Sequence, residues 1–562
     1  MLNKNWRILS EDSSLDLQTR LLHNRGLVEK NEIEQFFTEN FEFHDPFLMK
    51  DMDKAVKRIL SAIENGEKIV IFGDYDVDGI SGSAILIQTL RFLSAKVSYR
   101  IPHRMKDGYG LNVRFVKELA DLGVDLIITV DNGISCKKEI DLAKSLKIDV
   151  IVTDHHGIPE EFPVSAFAVV HPGQSDCEYP FKDLSGSCIA FKLAKALLKT
   201  KNNTEATALI ENLFDLASLG AVADCTSLLG ENRFIVKKGL RVLHDSRWRG
   251  LSLISQNAGV LNNKKSLMDL YDTDVIGFRI GPRINAASRI DDPYFALQAL
   301  IDEGGKAEFF AQKLEELNNY RQNIVKKALE NFENIFAKDL DQEFVCIAEH
   351  QDWSSGIVGL IAGKITDKYG KPSFVMEDRG DVLVGSARSP EYFDVFEAIN
   401  HVKKYLENFG GHKQAAGFTL KKENLAKFKK ALKEFAKNKL VGKDLRPVLN
   451  IDAVLNAEDL NMENFRLIEK FAPFGMNNPK PLFLLKNAKI QNPKLIGNGN
   501  KHLSFGIFAQ NKIVRAIAFS FGEFAEKILK KDQLDIVFHL EENEWNFKRT
   551  LQARIVDIRE SF

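Results

Sequence analysis

Asp154-His155-His156 sets three metal-capable side chains in a row, directly after the apolar run Asp149-Val150-Ile151-Val152-Thr153. Two other β-branched runs also end in carboxylates. Lys68-Ile69-Val70-Ile71-Phe72-Gly73 leads into Asp74-Tyr75-Asp76-Val77-Asp78-Gly79, and Leu126-Ile127-Ile128-Thr129-Val130 leads into Asp131-Asn132-Gly133. As three neighbouring parallel strands, these runs would aim five Asp and two His at one sheet edge, the edge where open α/β sheets carry their ligands. Carboxylates that close repel one another unless cations stand between them. A single Asp at a strand end is usually a helix cap or turn residue, and a lone His is usually structural. Their repetition at three strand ends argues instead for a metalloenzyme.

The residue types narrow the chemistry. Asp74, Asp76 and Asp78 alternate along a tight turn into Gly79, and Asp131 ends the adjoining strand, where one carboxylate can bridge two cations. His155 offers a neutral nitrogen and His156 a second donor. Asp224, in Gly220-Ala221-Val222-Ala223-Asp224-Cys225, adds a carboxylate after the apolar helix expected over 213–219. A carboxylate-rich, thiolate-free set with one or two His suits Mn²⁺ or Mg²⁺ better than Zn²⁺. Two such ions ~3.5–4 Å apart form the two-metal template for phosphodiester hydrolysis. Asp154 fits a supporting role, accepting hydrogen bonds from its loop or from the neighbouring imidazole.

These groups need a scaffold. At 562 residues the chain exceeds one core, and roughly three or four domains are expected. Lys plus Arg (77) nearly cancels Asp plus Glu (78), so a nucleic-acid surface must be local. The five cysteines are scattered without a CxxC pair, the usage of a reducing compartment, which also removes the common zinc arrangements. Met1 to Trp6 has no apolar run after Lys4, and no stretch is read as a membrane span, which needs ~20 apolar residues. No membrane contact is expected, and the cytoplasm is the expected compartment.

From about Lys54 to Asp224, short β-branched runs alternate with helical patterns such as Ser81 to Leu93, which predicts a doubly wound parallel sheet. Lys306 to Ala337 keeps helical spacing without Pro or Gly, which makes a rod of about 48 Å suited to linking domains. Mixed strand and helix follow over 343–418. Lys421 to Arg446 carries ten basic and three acidic residues. Its stripe of Leu425, Phe428, Leu432 and Phe435 predicts an amphipathic helix with a solvated lysine face. Beyond Pro447, short strands separated by turn clusters predict a small β-barrel of the oligonucleotide-binding (OB) type. Its Phe505, Phe508, Phe519, Trp545 and Phe547 alternate, so stacking on bases and packing in the core both stay open. Gly410-Gly411 and Gly385 can offer backbone amides to a phosphate, with Arg388 and His412 beside them, although Gly-Gly is commonly only a turn.

The same residues resemble the signature of the DHH phosphoesterase superfamily, named for the triplet at Asp154-His155-His156. The chain is most similar to its single-strand-specific exonucleases. Gly73 to Gly79, Val130 to Gly133 and Gly220 to Cys225 match further motifs, as do Pro102 to Leu111, Gly281 to Arg289, Gly410 to Gly417 and Pro473 to Pro479. The resemblance implies a doubly wound parallel-sheet DHH catalytic domain over 51–300 behind an N-terminal extension (1–50). A linker helix (301–340), a smaller α/β DHH-associated domain (341–440) and an OB-type barrel (441–562) would follow. By position it implies Asp76, Asp78, Asp131, His155 and Asp224 as ligands of two Mn²⁺ or Mg²⁺ ions, with Asp74 close to the first. His156 is implied to face the scissile phosphate, which with Asp131 and Asp154 makes the catalytic set. Arg283, Arg388, Ser386, Gly410, Gly411 and His412 are implied to hold the strand. Ser354 departs from the bulkier residue that relatives often carry after Trp353, which touches a local DNA contact and not the chemistry.

The implied activity is hydrolysis of single-stranded DNA to mononucleotides, 5′ to 3′, in recombination and repair, with a helicase and a single-strand-binding protein as partners. A phosphodiesterase of short oligonucleotides or cyclic dinucleotides is the alternative. Those enzymes have two lobes without a terminal barrel, so residues 447–562 weigh against it. A non-catalytic DNA-binding scaffold is a third reading, disfavoured because every metal position is kept.

Overall fold

The computed structural model describes every residue except 1–3, 13, 261–270, 303, 510, 511, 530, 532, 546, 547 and 562. Contacts divide the chain into two compact units, one formed by 1–100, 110–281 and 448–562, the other by 101–109 and 282–447.

The first unit holds the expected doubly wound sheet. Strands β1 (Lys68–Gly73), β2 (Lys96–Arg100), β3 (Leu126–Val130), β4 (Asp149–Thr153) and β5 (Ala168–Val170) are all parallel and ordered β2-β1-β3-β4-β5. The order reverses between β1 and β3, which makes their carboxyl ends the topological switch point, where such sheets bind ligands. Asp74 and Asp131 follow those two strands directly. Helix α1 (Val77–Phe92) is buried along nearly its whole length because it lies between the sheet and helices α2 (Gly186–Lys199) and α3 (Phe214–Ala223). This explains its all-round apolar composition.

One stretch of the described residues, Thr204–Ala223, does have the length and mean hydropathy (1.3) of a bilayer span. It is two successive helices, Thr204–Asn212 and α3, and 61% of it is buried. Its apolar side chains face α1, α2 and helix α4 (Gly230–Leu243), so they serve the core.

The C-terminal segment of the same unit is a seven-stranded sheet, and the N-terminal residues are part of its packing. Its strands run in the order Ala453–Leu455, Phe483–Ala488, Leu534–Trp545, Lys548–Glu560, Lys512–Ala518, His502–Ala509 and Ile490–Ile496. Leu17, Leu21, Leu22 and Phe36 enter its core, and Asn5–Ile8 pairs in parallel with Val448–Ile451. The β-rich run 448–455 is split into strands Val448–Ile451 and Ala453–Leu455 at buried Asp452, which accepts from Arg25 Nη1 (3.2 Å) and from the Leu482 amide (3.0 Å).

Buried Arg233 of α4 stitches the sheet to the helices. Its guanidinium donates to the carbonyls of Phe471 (2.7 Å), Lys470 (3.0 Å), Phe36 (3.2 Å) and Pro473 (3.5 Å), and lies 3.9 Å from the Phe36 ring centre. Leu228 N donates to Met476 O and Thr273 Oγ1 to Phe474 O in the same junction.

The second unit contains the long helix, Ala307–Ile335, close to its expected bounds. It is less a solvated rod than the sequence suggested. Val325, Ala328 and Phe332 are buried in a core with Trp353 and helix Ser355–Tyr369, whose N-cap is Ser354. A five-stranded sheet in the order Asn408–His412, Ala415–Lys421, Val382–Arg388, Ser373–Asp378 and Cys346–His350 carries helix Leu425–Leu440. That helix buries Phe428, Leu432 and Leu440, and its lysines meet acids: Lys429 Glu349, Lys433 Glu343 and Lys439 Glu397.

Candidate active site

Four local devices bring the carboxylates together. Asp76 caps α1, accepting from the amides of Asp78 (3.0 Å) and Gly79 (3.1 Å), so Asp78 is carried on the first turn. Buried Asp78 accepts from the amides of Gly186 (2.6 Å) and Ser187 (2.9 Å) at the start of α2, where the helix dipole favours an anion. Asp131 takes a left-handed backbone (φ 63°) at the end of β3, its amide donating to Thr153 O, and Asp224 caps the carboxyl end of α3.

Glycines make the close approach possible. A Cβ at Gly186 would stand 2.6 Å from Asp131 Cβ, and one at Gly220 would stand 2.0 Å from Asp78 Oδ1. Gly220 opens the motif that ends in Asp224-Cys225, whereas nothing in the sequence around Gly186 marks it as part of the site. Gly186 is demanded by Asp131, 55 residues earlier, and Gly220 by Asp78, 142 residues earlier on a different helix.

The potential ligand atoms form overlapping groups whose members lie within 4.8 Å of one another: Asp74, Asp76 and Asp131; Asp78, His155 and Asp224; and Asp131, His155 and His156. Asp131 and His155 each belong to two groups and sit 3.1 Å apart, Nε2 to Oδ1. His155 Nε2 also has Asp224 at 3.6 Å and Asp78 at 3.8 Å. It is buried and makes no hydrogen bond among the described residues. A nitrogen lone pair ringed by carboxylates is a donor set that fits divalent cations.

The electrostatics agree. Burial, and then the charges of Asp78, Asp76 and Asp74, push Asp131 well above the usual carboxylate range. Burial with Asp78 and Asp76 pushes Asp224 up to about 8. Burial holds His155 below the ordinary imidazole value, which keeps it a neutral donor despite its acidic neighbours.

The triplet divides its work. Asp154 is buried and accepts from the amides of Ile134 (2.9 Å), His155 (2.8 Å) and His156 (3.1 Å), and its Oδ1 lies 2.8 Å from His156 Nδ1. Burial opposes its charge, but His156 and the amides outweigh burial and hold it low. For half-exposed His156, burial acts downward too, yet Asp154 and then Asp224 and Asp74 raise it to about 9. Asp154 thus holds the loop and the His156 imidazole in place.

The residues expected to hold the strand lie in the second unit. Arg388 Nη1 donates to Ser386 Oγ (2.8 Å). Burial, then the nearby charge of Arg104, lowers its pKa, and two guanidinium groups so placed favour an anion beside them. Arg104 lies in the Pro102 to Leu111 motif, but nothing in that motif pairs it with residue 388. Arg283 is held in a two-point ion pair by Glu315 (2.6 and 3.2 Å) of the long helix. Gly411 (φ 146°) and His412 lie on an exposed edge strand, and Gly410 has open space where a Cβ would be. Gly385 is a packing glycine, since the Phe418 ring would lie 2.3 Å from its Cβ. Of the aromatics expected in the terminal domain, Phe505 is core (2% exposed), while Phe508 (45%) and Phe519 (50%) are exposed. The Trp545 side chain and Phe547 lie outside the described residues.

Family models match three segments: the N-terminal domain of the DHH family over residues 68–221, the DHHA1 domain over 342–438 and the RecJ OB domain over 451–557. The single-stranded-DNA-specific exonuclease RecJ of Bacillus subtilis is 37% identical over 96% of this chain and 67% of its own length. That of Haemophilus influenzae is 32% identical over 91% of both chains. The crystal structure of RecJ from Thermus thermophilus in complex with Mn²⁺ superposes with a TM-score of 0.84 at 27% identity, covering all of this chain and 80% of that one. The same enzyme in complex with Mg²⁺ gives 0.78 at 26%, covering all of this chain and 79% of that one.

Proposed function

The chain belongs to the RecJ family of single-stranded-DNA-specific exonucleases, and from that premise we propose that it hydrolyses single-stranded DNA from the 5′ end to mononucleotides with two divalent cations. The observation that carries the reading is the pair of donor groups joined through Asp131 and His155. Asp76, Asp78, Asp131, His155 and Asp224 would hold Mn²⁺ or Mg²⁺, with Asp74 beside the first ion. When bound, such ions supply Lewis acidity at the phosphate and hydroxide at neutral pH.

The chain's own groups do the rest. Asp78, fixed by two amides, and Asp131, fixed by its strand end, give rigid positions, which a reaction needing in-line geometry requires. Asp154 locks His156 through Nδ1, so Nε2 is the atom turned toward the scissile phosphate, where a protonated imidazole donates to its oxygen. Arg388, with Ser386 and Arg104, takes a backbone phosphate of the strand. Arg283 does so only by sharing its charge with Glu315. The exposed barrel aromatics extend the grip to bases. A helicase that unwinds and a single-strand-binding protein that presents the strand are the partners of such an enzyme, in recombination and repair within the cytoplasm.

The test is digestion with Mn²⁺ of a long single strand labelled at its 5′ or its 3′ end. Immediate release of labelled mononucleotide from the 5′ label, late release from the 3′ label and an intact blunt duplex are expected. Release that begins at the 3′ label overturns the polarity. Cleavage confined to di- or trinucleotides favours a short-oligonucleotide phosphodiesterase.

A further inference from the structure

Phe278 is 78% exposed, the most exposed of the large hydrophobic side chains described. It lies on Val275–Ile280, a single π-helical turn, a rare conformation that recurs at functional sites. Val275, Ile276 and Ile280 are buried and anchor the turn, so the exposure of Phe278 does not come from a loose segment. The turn also touches the metal-binding scaffold. Positions where glycines lack a side chain show how close it runs. A Cβ at Gly277 would stand 3.9 Å from Val222 Cγ1, and one at Gly281 would stand 3.7 Å from Val77 Cγ2 and 3.9 Å from Ala223 Cβ. Val77 lies between Asp76 and Asp78, and Ala223 precedes Asp224. An anchored turn thus abuts the neighbours of three candidate ligands and holds a flat apolar ring out to water.

We propose that Phe278 is a positioning residue on which a nucleobase next to the scissile phosphodiester stacks. The proposal rests on the single-strand exonuclease reading above. A base beside a phosphate held at the carboxylates is the flat apolar partner within reach of that turn, and stacking on an aromatic is indifferent to sequence. Only an unpaired, unstacked base can take up the position, since a duplex base already stacks on its neighbours. The ring therefore adds a selection for single strands to the phosphodiester chemistry, which by itself does not distinguish them.

The test is kcat/KM for Phe278→Ala and Phe278→Trp on single strands that carry either normal nucleotides throughout or abasic nucleotides at the first three positions. With metal-loaded protein, Phe278→Ala is expected to lose roughly 5- to 150-fold on normal strands, the range for one lost base stack. It should match the unmodified protein on abasic strands, with Phe278→Trp retaining activity on both. An equal loss on both substrates would mark a structural role, and no loss on either would leave the ring outside the reaction; each outcome overturns the proposal. Failure of the unmodified protein to degrade single strands at all would instead overturn the exonuclease reading, so the two failures are distinct.

Discussion

The Gly186 amide donates to Asp78 Oδ2 at 2.6 Å, while the same residue leaves no room for a side chain against Asp131, whose Cβ would be 2.6 Å from its own. One backbone position thus fixes one carboxylate by a hydrogen bond and a second by contact. Gly186→Ala is expected to displace Asp131 and to cost about 100-fold in turnover, the scale of an ångström-size misplacement. Mn²⁺ affinity measured by calorimetry should fall with it. Unchanged affinity and turnover would mean that the site tolerates the shift.

The two imidazoles of the triplet should fail differently. His155 faces three carboxylates, whereas His156 is turned onto Asp154. His155→Ala should lose metal and activity together, as should Asp131→Ala. His156→Ala should keep its metal and lose rate, by about 100-fold or more if it stabilises the transition state. Metal analysis beside single-turnover rates separates the cases, and equal metal loss in both histidine variants would defeat the division of roles.

The strand ends were legible because apolar runs that stop at Asp report both a strand and its edge. That Asp74 and Asp131 flank the switch point follows from strand order alone. What the sequence hid depends on partners distant in the chain. Arg25 meets Asp452 and Asn478, and Trp6 Nε1 donates to Asp557, so within the expected N-terminal extension Trp6, Arg25 and the apolar side chains Leu17, Leu21, Leu22 and Phe36 belong to the packing of the terminal domain. The strand Ile490–Ile496 was obscured by Pro493, which breaks its alternation and coincides with a register shift between Gln491 and Lys494. Alternation marked Phe505 and Phe519 alike, and only the pleat and the end of strand Lys512–Ala518 decide that the first faces the core and the second faces water.

Asp215, at the start of α3, makes stability depend on pH. Burial pushes its carboxyl up to about 7 although Ser246, Trp248 and the Leu216 amide all donate to it. A raised folded-state value means that the folded form holds the proton more tightly. Its contribution is therefore full below the unfolded value of 3.8 and is lost as pH rises to about 7. At neutral pH and above the charged group costs on the order of 4 kcal/mol. In Asp215→Asn the amide oxygen still accepts from Trp248 and the amide nitrogen donates to Ser246 Oγ. Urea unfolding at pH 4.5 and pH 8 should show the variant gaining stability relative to the unmodified protein as pH rises. A difference that does not change with pH would remove Asp215 from the linkage.

Arg233 is the rivet between α4 and the terminal sheet. Burial lowers its pKa to about 9, and four main-chain carbonyls accept from it. Arg233→Met leaves those carbonyls without their donor, at a cost of about 3–5 kcal/mol on the scale of broken buried polar networks. The expected readout is a lower thermal midpoint together with earlier proteolysis near residues 470–479. A variant with unchanged midpoint and protease sensitivity would show that the junction does not need the guanidinium.

The exposed face of the terminal sheet should grip DNA by two separable means. Along His502–Ala509, Leu503, Phe505 and Ile507 point inward, leaving Ser504, Gly506 and Phe508 outward. Phe508 pairs with Ile513 and Gly506 with Arg515 on the facing strand, and a Cβ at Gly506 would stand 2.4 Å from the Ile513 side chain. That outer face thus offers an aromatic beside a cation. Because the sheet shares its core with the N-terminal segment and is fixed through Arg233, deleting it would strip buried groups from the rest of the chain, and single substitutions give the cleaner test. Phe508→Ala should weaken binding of long single strands roughly 5- to 150-fold without altering its salt dependence, since no charge is lost. Arg515→Ala should instead flatten the slope of log affinity against log salt by about 0.7, the single-strand value for one phosphate. Fluorescence anisotropy across a salt series measures both. If Phe508→Ala binds as tightly as the unmodified protein and Arg515→Ala keeps the full slope, the strand does not run over this face, and its exposed aromatics have no part in holding DNA.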